Sequence, residues 1–200
     1  DVLQYALARA DDWLAEAARH DRWLAAGGLN DDQRFLLAKS VRSYWPSTQL
    51  LQEGRRWRWV VNEGSCNMIN TLDLTVDMAF FEADQHPWLL RNVLDTFADE
   101  YSYRDTVHAP DDPDTPLPGG VSFTHDQGNR NVFTPDGTSH YELADHPGCF
   151  SHMTHEELLN WLLCAGIYIK ATDDEAWLRA RMPLVADCLA SMQNRDHPDP

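Results

Sequence analysis

The sequence predicts a mainly helical fold with one short β element and one long loop insertion. Three observations carry this reading. Apolar residues recur at the 3.6-residue helical period over most of the chain. One run, Trp57-Arg58-Trp59-Val60-Val61, is instead aromatic and β-branched, the composition of a strand. The stretch from Ser102 to Met153 holds most of the prolines, several glycines and few helix formers.

In chain order, residues 2–26 read as one amphipathic helix, with Leu3, Leu7, Ala10, Trp13, Leu14 and Ala17 on the helical period. Gly27-Gly28 is a C-cap pair that ends it. Asn30-Asp31-Asp32-Gln33 is a capping box, so a second helix follows with Phe35, Leu37, Ala38, Val41 and Tyr44 as apolar positions. Pro46 ends or kinks that helix, and residues 47–52 are expected to continue it before Glu53-Gly54 turns the chain. The strand follows and stops at Asn62-Glu63-Gly64. Thr71 to about Asp84 is a third helix, and His86-Pro87 opens a fourth, since proline suits a first helical turn.

The stretch 102–153 is too long for a passive connection, because long loops in compact domains are usually functional or disordered. Tyr101, Tyr103, Phe123, Phe133, Tyr141 and Phe150 give it aromatic anchors, which favours an ordered insertion. Val121-Ser122-Phe123 is expected as a short strand, and Asp136-Gly137 is a hairpin-type turn signal. Thr154-His155-Glu156-Glu157 reads as a capping box that opens an apolar helix to about Ala171. Asp173 and Asp174 begin a last helix, which Pro183 is expected to kink. The helices thus form antiparallel pairs, a helical-hairpin array.

Two hundred residues suffice for one domain with a sizeable core. A net charge of −16 repels phosphates, which excludes a nucleic-acid or anionic-membrane partner and fits a neutral substrate. No run of about 18 apolar residues indicates a membrane span. The start at Asp1-Val2 has no basic n-region, and both ends read as cut from a longer protein. Cys66, Cys149, Cys164 and Cys188 lack CxxC spacing and read as reduced, buried thiols, which favours a cytoplasmic setting.

Three polar groups could carry chemistry. Glu63 stands where an extended run stops, between an amide side chain and a permissive glycine, a position from which a carboxylate can be aimed into a cavity, with a solvated turn residue as the commoner alternative. Asp73 and Asp77 lie one turn apart near a helix start, as sugar-hydroxyl acceptors or as partners of the helix dipole. His125-Asp126 lies between a strand-like run and Gly128, and both side chains can bind hydroxyls, although an Asx turn is the plain alternative. Trp57, Trp59 and Trp88 offer flat faces for sugar rings, against core packing as the commoner role. His140, His146, His152 and His155 come without an HExxH or similar ligand set, so no metal site is expected. No GxSxG elbow, Walker loop or dinucleotide-binding glycine pattern is present. Paired carboxylates remain, the chemistry of glycoside hydrolysis.

The strings VVNEGSCNMINTLDLTVDMAFFE, PGGVSFTHDQGN, YELADHPGCFSHMTHEELLNWLLCAGIYI and MQNRDHPDP resemble glycoside hydrolase family 52, the β-xylosidases. The Asn-Glu and His-Asp-x-Gly elements are also similar to those of the family 116 β-glycosidases. The resemblance implies that residues 1–200 are part of an (α/α)6 toroid, preceded in the family by a β-sandwich domain. It implies retaining hydrolysis of xylo-oligosaccharides or aryl β-xylosides with no cofactor. Glu63 matches the family's nucleophile. His125 and Asp126 match the His-Asp pair that contacts sugar hydroxyls in the related family 116, Asp73 is a substrate contact by the same analogy, and Asn62, beside the nucleophile, joins them as a candidate substrate-binding residue. The family's acid/base is an aspartate in a Tyr-Asp segment beyond the string at which this chain stops, and no Tyr-Asp dipeptide occurs here. The fragment is therefore expected to hold the nucleophile, to lack its partner and to be inactive alone. The oligomeric state stays open, with a homo-oligomer among the alternatives. A non-catalytic carbohydrate-binding helical domain is the competing reading, and a purely structural domain a third.

Overall fold

The computed structural model describes residues 2–109, 112–140 and 149–195. Tyr141, His146 and the tail from Asp196, named above, lie outside the described residues, as do the side chains of Cys149, Phe150 and His152. Two compact units divide the chain, residues 1–47 and 48–200.

The first unit is helical: α1 (Val2–Ala8), α2 (Ala10–Ala26), α3 (Asp31–Tyr44) and a short 3-10 turn at Trp45–Ser47. The single helix expected over 2–26 is interrupted at Arg9, whose main-chain N–H reaches both Tyr5 O and Ala6 O at 3.2 Å, a tightening of the turn. The capping box forms as expected. Asn30 Oδ1 accepts from Gln33 N at 2.9 Å, and Gln33 Oε1 accepts from Asn30 N at 3.0 Å.

The second unit carries the core. Strands β1 (Thr48–Glu53) and β2 (Arg56–Glu63) form an antiparallel hairpin that continues through β3 (Met68–Ile69). Residues 48–52 are thus strand, not helix. Their pairing with Trp57–Val61 supplies main-chain partners that local propensity does not register. Helices α4 (Leu72–Gln85) and α5 (Pro87–Glu100) follow, with Pro87 in the first turn of α5. Amide side chains cover main-chain groups of β2. Asn92 Oδ1 accepts from Trp59 N and Asn92 Nδ2 donates to Trp57 O, both at 2.7 Å.

The predicted loop insertion contains a β-ribbon. Strand β4 (Ser102–Ala109) pairs antiparallel with β5 (Asp112–Phe123), and the short β6 (Gly128–Asn129) and β7 (Val132–Phe133) join the first sheet, in the order β1-β2-β3-β6-β7. Strand β5 contains Pro113, Pro116 and Pro118, and a two-stranded ribbon, with one edge of each strand unpaired, tolerates residues that lack an N–H donor. That tolerance makes the composition look loop-like.

Helix α6 spans Cys149–Thr172, so Thr154 lies inside it and opens nothing. Helix α7 (Glu175–Arg195) contains Pro183 and lies along the ribbon, where Ser191 Oγ donates to Val121 O at 2.6 Å. Trp161 of α6 is fully buried and stacks on Phe123 at 5.4 Å and on Trp177 at 6.1 Å. The architecture is mainly α, with more β structure than the sequence predicts. Cys164 and Cys188 are buried thiols, whereas Cys66 is exposed in the β2–β3 turn, contrary to expectation. Among the described residues no helix is long and apolar enough to cross a membrane.

Candidate active site

The site is built where β2 ends, α4 begins and the segment 124–127 crosses between them. Asn70 organises the junction. It is buried and left-handed, with φ of 48°. Its Oδ1 accepts from Val61 N at 2.7 Å, and its Nδ2 donates to Trp59 O and Gln127 Oε1, each at 2.9 Å. The crossing segment is then tied to both elements. Gln127 N donates to Ile69 O at 2.9 Å, and Leu72 N donates to His125 O at 2.8 Å.

Glu63 is the last residue of β2, half-buried and paired across the hairpin with Met68. Its Oε2 accepts from Thr71 Oγ1 at 3.1 Å. Thr71 precedes α4 but makes no side-chain capping bond, so its hydroxyl serves the carboxylate. Asn62 lies opposite Ile69 and is half-buried. Asp73 sits in the first turn of α4, where its Oδ1 accepts from Leu74 N at 2.9 Å, the arrangement a helix dipole favours.

His125 and Asp126 are both buried. Their side chains meet at 3.1 Å between Nδ1 and Oδ2. With that carboxylate as acceptor, Nδ1 carries a proton. His125 Nε2 stands 4.0 Å from Asp73 Oδ1. Asp126 Oδ1 accepts from Gly128 N at 2.8 Å and from His140 N at 2.9 Å. Asp126 therefore exposes no oxygen, and its carboxylate anchors the segment as an Asx-type turn while orienting His125. Gly128 has φ of +138°, and a Cβ there would meet Val132 O at 2.1 Å, so only glycine fits.

Sequence reasoning missed Glu157. Read as a capping residue, it is instead fully buried in α6. One of its oxygens lies with an oxygen of Asp73 and a ring nitrogen of His125 inside a group whose atoms are all within 4.8 Å of one another. Burial pushes its carboxyl up to about 9, and the charges of Asp73, Glu156 and Asp126 add to the rise. These three side chains are the types that hold a metal, but Glu157 would first have to lose its proton. The available signal was its place on the apolar face of the helix: Leu158, Trp161 and Cys164 are also buried.

Of the tryptophans, Trp59 is core at 6% exposure, with Nε1 3.2 Å from Glu82 Oε1, whereas Trp57 and Trp88 are about half exposed. A cavity of about 490 Å³ is lined by Arg58, Glu100, Tyr101, Phe133 and neighbours, and none of the five predicted site residues lines it. Its cation is already committed: Arg58 bonds Glu53 at 2.8 Å and Glu100 at 2.5 Å, and lies 5.0 Å from the Phe133 ring centroid.

The family described as Glycosyl hydrolase family 52 matches residues 1–168. A β-xylosidase of Geobacillus stearothermophilus is 48% identical over the whole chain, which spans 28% of that protein. A second β-xylosidase of the same organism is 46% identical, again over the whole chain and 32% of its own length.

Proposed function

The chain belongs to glycosyl hydrolase family 52, and from that premise we propose that it supplies the nucleophile and part of the sugar site of a retaining β-xylosidase. The observation that carries this reading is the Thr71–Glu63 hydrogen bond. It holds a strand-end carboxylate against the start of the helix that bears Asp73, beside His125. The relatives named above as β-xylosidases support a terminal β-xylosyl substrate.

In the proposed reaction Thr71 fixes Glu63 Oε2, and Oε1 attacks the anomeric carbon. The bond to the leaving oxygen breaks, and a second carboxyl group, on a residue outside this chain, protonates that oxygen. The same group then removes a proton from water, which attacks the anomeric carbon and frees Glu63. Retaining enzymes keep the two carboxyl groups about 5–5.5 Å apart. Asp73 and His125 Nε2 accept hydrogen bonds from sugar hydroxyls, Asn62 flanks the nucleophile, and Asp126 keeps His125 in the tautomer that presents Nε2. The steps need neither metal nor organic cofactor. As part of this reading, residues 1–200 form a portion of an (α/α)6 toroid and are inactive alone.

The test is made in the complete enzyme. Glu63→Gln should cut turnover of an aryl β-xyloside by at least about a thousandfold with folding intact, because the amide cannot form the glycosyl ester. A fluoro-xyloside should label Glu63 covalently. Turnover near that of the parent enzyme would remove Glu63 from the mechanism. Reversible sugar binding without labelling would favour a non-catalytic carbohydrate-binding domain.

A further inference from the structure

Glu157 has no part in the steps above, yet it is fully buried beside Asp73 and His125. Its Oε2 accepts a long bond from Asn160 Nδ2, at 3.4 Å, and its Oε1 is buried without a hydrogen-bond partner among the described residues. An ionised carboxylate left this way would face several acceptors and negative charges. Asp73 approaches from α4 and His125 and Asp126 from the crossing segment, while Glu156 and the buried Cys164 thiol lie on its own helix. A buried carboxylate among acceptors is costly, whereas one proton converts it into a donor.

We propose that Glu157 is a positioning residue that keeps its proton and donates it as a hydrogen bond to Asp73, which adjoins His125, holding in register the two groups that receive the sugar's hydroxyls. This rests on the sugar site proposed above, because it gives that pair its purpose. Glu157 itself is fully covered and does not touch the sugar. Its burial pushes the carboxyl up to about 9, in the direction the role requires. The device resembles a neutral acid kept in an apolar pocket so that it can donate.

The experiment compares Glu157→Gln and Glu157→Ala in the complete enzyme. Glutamine keeps the shape and a donor without a charge. Two quantities are read: xylose affinity from competitive inhibition, and the titration of His125 by NMR. Glu157→Ala should weaken xylose binding about tenfold, mainly as a rise in KM, and Glu157→Gln should restore it to within about threefold. The His125 midpoint should be the same in Glu157→Gln as in the parent, since a neutral group has been exchanged for a neutral group. A fall of more than about half a unit in that midpoint would mean a negative charge had been removed, and would overturn the proposal. Unchanged xylose affinity in Glu157→Ala would overturn it too. So would a stoichiometric zinc ion that Glu157→Gln abolishes, because a metal ligand must be ionised. If Glu157→Ala fails to fold, the His125 titration in Glu157→Gln still decides. That readout needs no turnover, so it stays distinct from the Glu63→Gln and labelling tests.

Discussion

Asn70 shows how much one amide can hold. Its side chain serves Val61, Trp59 and Gln127 at once, and its left-handed backbone turns the chain from β3 toward α4. Asn70→Ala would strand a buried N–H and a buried carbonyl at the base of the strand that carries Glu63. The expected cost is roughly 2–3 kcal/mol, read as a lower denaturant midpoint. An unchanged midpoint would mean that water replaces the amide. No sequence pattern marks Asn70, since its partners lie 9, 11 and 57 residues away. Glu63, by contrast, was legible because it ends a local run whose composition changes within three residues. His125-Asp126 was legible as a pair but not in its division of labour. Only the two main-chain N–H groups on Asp126 show that its carboxylate is an anchor.

Among the elements, α6 ties the second unit together. Trp161 is sandwiched between Phe123 of the ribbon and Trp177 of α7, and its Nε1 donates to Leu94 O of α5 at 3.1 Å. Trp161→Ala should destabilise by about 3–5 kcal/mol, through a cavity at a three-element junction plus a lost buried bond. Thermal or chemical denaturation checks this, and a loss under about 1 kcal/mol would show that the core collapses around the gap. The arginines of α7 reinforce the same packing. Arg181 bonds Asp95 and Asp99 of α5, and Arg195 pairs with Asp105 of β4. Helices α3, α4, α5 and α7 were readable because the apolar period lies within each element, helped by the capping box of α3 and the first-turn proline of α5. Strands β1, β4 and β5 were not, because a strand is completed by a partner elsewhere in the chain. The start of α6 was misplaced because Thr154 and Glu157 match a capping box by type and spacing while lying mid-helix.

At the scale of the whole molecule, Glu157 links protonation to stability. It holds its proton up to about pH 9 when folded, against an ordinary value of 4.5. Between those values the folded state carries a proton that the unfolded state has lost. Stability from this group is therefore full below about pH 4.5 and falls as pH rises toward 9. Glu157→Gln, which cannot ionise, should lack this fall. Unfolding free energies of the two proteins at pH 5 and pH 8 should differ by an amount that moves in favour of the variant at the higher pH. Parallel pH profiles would contradict an uncharged Glu157. The first unit behaves otherwise: α1 and α3 bury no residue, and Leu3, Leu7, Trp13 and Phe35 stay exposed although they follow the apolar period.

The order of residues alone carries the helical periods, the Asn30 cap, the strand that stops at Glu63 and the strings that identify the family. Each of these is a pattern of neighbours, legible wherever the chain happens to be. Folding decided that residues 48–53 pair as a strand, that a proline-rich stretch forms a ribbon, and that Asp126 faces inward. It also converted a glutamate with the spacing of a cap into a buried acid beside Asp73 and His125. Those outcomes depend on pairing and on loss of water, and both are set by groups that meet across tens of residues of chain.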